Sequence, residues 1–63
     1  MNEKDIIKYG LHVFNNEQDK FDRWLRKPNK QLGGESPSEI IKEGLFIHLV
    51  ENLLNRIEYG NFA

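Results

Sequence analysis

Apolar residues recur along this chain at the three- and four-residue spacing of helices, and no alternating strand pattern competes with them. In the first segment, about residues 3 to 14, Ile7, Leu11 and Phe14 share one face, with Ile6 beside it. Gly10 interrupts that face. It is either a weak point, costing about 1 kcal/mol against alanine, or a place where a second helix comes close. Asn15 and Asn16 read as the start of the next helix, because asparagine caps free amide groups. That second helix, about 17 to 27, buries Phe21, Trp24 and Leu25 at i, i+3 and i+4 and ends at Lys27, since Pro28 disfavours helical geometry there. "PNKQLGG" is a loop. Ser36, Pro37 and Glu39 then spell a capping box with proline at the first helical position, which starts a third helix over 37 to 43. Ile40 and Ile41 point inward, and Gly44 stops the helix. The final helix, about 45 to 59, has the longest periodic face: Phe46, Leu49, Val50, Leu53, Leu54 and Ile57. The expected architecture is all-α, a small bundle of three to four short helices in a single domain.

Composition narrows the class. With 38% hydrophobic and 30% charged residues the chain suits a globular rather than a disordered protein. A net charge of -1 gives no overall pull toward nucleic acid or anionic lipid. The absence of cysteine removes disulfides and thiolate metal sites and fits a reducing, cytoplasmic setting. The longest apolar run, "LFI" at 45 to 47, is far too short to span a membrane, so no membrane partner is expected. A core this small supplies only about 3–5 kcal/mol net, which favours a homo-oligomer or a stabilising partner.

Catalysis has little to work with. His12 and His48 are the sole imidazoles and lie far apart in the sequence, whereas a zinc site gathers three or four ligands. Ser36 and Ser38 are the sole serines, and capping already accounts for Ser36. The "LGGESP" loop lacks the lysine of a phosphate loop, and Glu35 and Glu39 flank it. No enzyme activity, cofactor or metal is expected. Lys20, Arg23 and Lys27 make a basic stripe, with Arg26 and Lys30 near it. A solvated face is the first reading, ahead of contact with an acidic protein or with nucleic acid.

The final helix carries a different signal. His48, Asn52, Asn55 and Tyr59 fall at i, i+4, i+7 and i+11, in one narrow uncharged stripe opposite the apolar face. In a chain this rich in charge, a solvated face would hold lysine and glutamate. Charge depletion with an aromatic and amides marks a binding patch, and Arg56 on its flank is a common interface anchor. Gly60 should end the helix, leaving Asn61, Phe62 and Ala63 as a short tail whose phenylalanine either packs back or enters a partner.

Taken in order, Val13-Phe14, Trp24-Leu25, Pro28-Asn29, Leu32-Gly33-Gly34, Ser36-Pro37, Gly44 and Arg56-Ile57-Glu58-Tyr59-Gly60 resemble the toxin-binding domain of the MbcA/ParS/Xre antitoxins, over about residues 12 to 63. The resemblance implies a type II antitoxin that neutralises a cognate RES-domain toxin, one that consumes NAD or modifies with it. The contacts would come from the final helix and the C-terminal tail: His48, Asn52, Asn55, Arg56, Glu58, Tyr59, Gly60, Asn61, Phe62 and Ala63. Such antitoxins usually carry an N-terminal helix-turn-helix domain. About 11 residues precede the matching region here, so direct DNA binding by this chain alone is not expected. The alternative is a helical interaction or oligomerisation module without a toxin.

Overall fold

A computed structural model describes residues 2–60. It is a small all-α bundle: α1 (Glu3–Val13), α2 (Gln18–Arg26), a 3-10 turn (Lys30–Leu32), α3 (Pro37–Glu43) and α4 (Ile47–Glu58). Helix α4 packs on α1 and α3, while α2 packs on α3 and α1. Ile6, Leu32, Ile40, Ile41, Val50 and Leu54 form the core where these faces meet.

Local chemistry sets most of the boundaries. Asn2 caps α1, its side chain accepting from the Asp5 amide at 2.8 Å, and Glu3 and Asp5 place negative charge at the positive helix end. Lys27 is extended before Pro28, as the proline requires. The capping box is complete. The Ser36 Oγ accepts from the Glu39 amide at 3.3 Å, and the Glu39 carboxylate accepts from the Ser36 amide at 3.0 Å. Those Ser36 donors hold the Glu39 carboxyl below its ordinary pKa. Gly44 closes α3 at φ +78°, a left-handed conformation that a side chain would strain.

Two expectations are corrected. Asn15 and Asn16 do not cap α2. Both sit in the left-handed region, at φ 57° and 62°, and form the turn that reverses α1 into α2. Asparagine serves both as a cap and as a left-handed turn residue, and the sequence does not say which. Helix α2 begins after Glu17 with no side-chain cap. The last helix also starts later than its periodicity suggests. Phe46 is its non-helical cap residue and is 49% exposed, so it drops out of the buried face.

Gly10 is the point of closest approach between α1 and α2. It is buried, and a Cβ built on it would overlap the edge of the Phe21 ring. Phe21 is 1% exposed and sits among aromatic neighbours, its ring centroid 5.4 Å from Phe14 and 6.2 Å from Trp24. Trp24 itself is half-buried. Among the described residues, no helix is long and apolar enough to cross a membrane.

Candidate partner-binding face

Helix α4 turns one side to the core through Val50 and Leu54, both fully buried. At about 100° per residue the opposite side carries His48, Asn52 and Tyr59, and all three are exposed. Tyr59 is 77% exposed at the very end of the helix, and Gly60 follows at φ 68°. Asn61, Phe62 and Ala63 lie outside the described residues.

The row has two different borders. On one border Asn55 and Glu58 face α1. The Tyr9 hydroxyl meets the Asn55 carboxamide and donates to Glu58 Oε1 at 2.7 Å, while His12 Nε2 lies 3.3 Å from Glu58 Oε2. One phenol proton serves one acceptor at a time. Both contacts are satisfied together when Asn55 turns its amide nitrogen toward the phenol oxygen. On the other border Arg56 is exposed, and its Nη1 donates weakly to Gln31 Oε1 at 3.4 Å. Between α4 and the 3-10 turn runs a shallow groove with Leu32, Leu49 and Leu53 in it and Gln31, Asn52 and Arg56 at its rim. Asn55 is therefore half-buried and engaged within the chain, unlike the rest of the stripe that the sequence grouped with it.

Leu45 and Phe46 lie just before α4, 75% and 49% exposed, with the Phe46 and His48 rings edge-on at 6.2 Å. Periodicity had assigned Phe46 inward. A helix that starts two residues late leaves both side chains outside. The histidines do not converge. His12 meets the last turn of α4 and His48 belongs to its first turn, roughly 15 Å away along the axis. Among the described residues no group of three or more His, Cys, Asp or Glu is placed to hold a metal ion. On α2, Lys20 pairs with Glu17 at 3.4 Å, and Arg23, Arg26 and Lys27 are exposed alongside Asp19, the pattern of a solvated face.

Residues 10–60 match the family described as the antitoxin Xre/MbcA/ParS C-terminal toxin-binding domain. The chain belongs to that family. It is also 29% identical over 55 residues to the "Antitoxin Xre" of Photorhabdus laumondii subsp. laumondii. That alignment takes in 87% of this chain and 37% of the relative, so the chain spans little more than a third of that protein's length. No solved structure matches the chain.

The Xre/MbcA/ParS match runs from Gly10, where α1 meets the Phe21 ring of α2, to Gly60, just past the end of α4. Tyr9 lies one residue before it, and sequence reasoning gave Tyr9 no role. Period and spacing carry no sign of a contact made across 46 and 49 residues of chain. Burial and then the Glu58 carboxylate push the Tyr9 phenol up to about 12 from its ordinary 10.0. The native state therefore holds this proton more tightly than the unfolded chain does. The resulting stability is present in full below pH 10 and is lost as the pH rises to about 12. In a Tyr59→Phe chain, where Tyr9 is the remaining phenol, absorbance titration should place the ionisation near pH 12. A midpoint near 10 would mean that the phenol is neither buried nor beside a carboxylate.

Proposed function

We propose that this domain acts as an antitoxin in the cytoplasm, neutralising a RES-domain toxin by direct binding. The surface used is the outer row of α4 with the chain's end: His48, Asn52, Asn55, Arg56, Glu58, Tyr59 and Gly60, then Asn61, Phe62 and Ala63. The observation that carries the reading is the row itself. Apart from the half-buried Asn55 it is exposed, it holds a charge only at its borders, and it finishes on an aromatic ring that projects from the helix end. Tyrosine and arginine, here Tyr59 at the end of the row and Arg56 on its border, are common anchors of an interface. The toxin class rests on family resemblance. The family description, a toxin-binding domain, supports a binding role.

Co-expression with the product of the neighbouring gene, the candidate toxin, tests this. The full chain should rescue growth. A chain lacking Tyr59–Ala63 should bind the toxin about 30- to 1,000-fold more weakly, the loss of one or two interface anchors, while keeping its helical circular dichroism. Full neutralisation by the shortened chain would remove the tail and Tyr59 from the interface. Leu45 and Phe46 support one additional reading, self-association through the start of α4, which sedimentation of the isolated domain would reveal.

A further inference from the structure

We propose that Tyr9 is a positioning residue for the toxin-facing end of α4, tying Asn55 and Glu58 to α1 so that Tyr59 leaves the bundle in one fixed direction. The inference deepens the toxin-binding reading of that end and rests on it.

The anchoring of α4 is uneven along its length. Val50 and Leu54 are completely buried and hold its middle. Beyond Leu54 the helix has only the half-buried Ile57 on its core side. A last turn with so little burial opens more readily than the middle of the helix, even with the Tyr59 and Gly60 amides donating to the Asn55 and Ile57 carbonyls. The Tyr9 hydroxyl meets α4 in that weak stretch, at Asn55 and, at 2.7 Å, at Glu58. Two ties about one turn apart on the same border hold both the position and the rotation of the turn. Residue 59 follows Glu58 directly, so a fixed Glu58 fixes the backbone from which the Tyr59 side chain leaves the helix. Tyr9 is itself half-buried against the core, so the ring cannot swing away without losing packing. His12 adds an ion-pair partner for Glu58 from one turn further along α1, but its side chain is 73% exposed, where such a contact counts for little.

The advantage to binding is preorganisation. Apparent affinity falls by the fraction of time the contact surface is out of place. Tyr9→Phe keeps the ring and its packing and removes the hydroxyl. Amide hydrogen exchange on the full chain should then speed up about ten-fold at residues 55–60 and stay unchanged at Phe21 and Ile40. Binding to the proposed toxin partner should weaken measurably, by less than about ten-fold, since affinity falls only with the competent fraction. His12→Asn should change that binding by less than about two-fold. Faster exchange spread evenly over all helices would show a merely structural role and overturn the proposal, as would unchanged exchange at 55–60. Local loosening with unchanged toxin binding would overturn it too. A wild-type chain that fails to bind the toxin would instead sink the proposed function, and the positioning role with it.

Discussion

Phe21→Ala should leave the domain without a cooperative unfolding transition at 25 °C. Phe21 is 1% exposed and fills the space between Gly10, Phe14 and Trp24. Truncating such a ring costs about 3–5 kcal/mol, the lost transfer free energy plus the cavity left behind. A helical domain of 63 residues has about 3–5 kcal/mol in total. The two magnitudes are equal, so the variant is expected to be unfolded or nearly so. The cavity cannot close easily, because the rigid rings of Phe14 and Trp24 border it. Trp24→Ala should do less damage, although the sequence pattern puts both residues on the same buried stripe. Trp24 is half-buried and already leaves part of its ring in water. Urea titrations followed by far-ultraviolet circular dichroism compare the three chains. A Phe21→Ala chain with a wild-type midpoint would show that the aromatic cluster contributes nothing to stability.

What the sequence revealed, and what it did not, divides by range. Pro28, the Ser36–Pro37–Glu39 box and Gly44 placed the end of α2 and both ends of α3, with α3 found at Pro37–Glu43 as expected. Each of these is a rule about one residue and its immediate neighbours. The Asn15–Asn16 pair failed because asparagine obeys two local rules, and packing chose between them. The start of α4 failed for a related reason. "GLFI" continues the apolar period, but the connection from α3 uses Leu45 and Phe46 to turn the chain. The candidate face shows the same division. That His48, Asn52 and Tyr59 share an outward row follows from helical geometry alone. That Asn55 turns toward Tyr9 depends on how α1 crosses α4, which no period encodes. The acidic side of α3 belongs here too. Glu43, at the far end of that helix, raises the Glu35 carboxyl above its ordinary pKa by hydrogen bonding and then by charge repulsion, an encounter no local rule announces.

Gly10→Val should be the most damaging single exposed-to-intuition "improvement" of a helix in this chain. Glycine inside a helix normally costs about 1 kcal/mol against alanine, so adding a side chain to α1 would ordinarily stabilise it. Here the side chain has nowhere to go. Gly10 is buried, and even its first carbon would overlap the Phe21 ring, with Leu54 in contact just beyond. The tip of an aromatic ring yields when it can rotate toward solvent. Phe21 cannot, since it is 1% exposed and packed against Phe14 and Trp24. Overpacking a tight core costs about 1–3 kcal/mol and sometimes more, and valine adds two methyl groups to the overlap. A loss of about 3 kcal/mol would consume most of the stability of a domain this small. Alanine at the same position should also destabilise, with the overlap outweighing the gain in helix propensity. The two residues share one space, so their effects should not add. Gly10→Ala placed in a Phe21→Leu background should cost less than in the wild-type chain, by about 1 kcal/mol or more. Additivity in that cycle, or a Gly10→Ala chain more stable than wild type, would mean that α1 and α2 do not approach at Gly10.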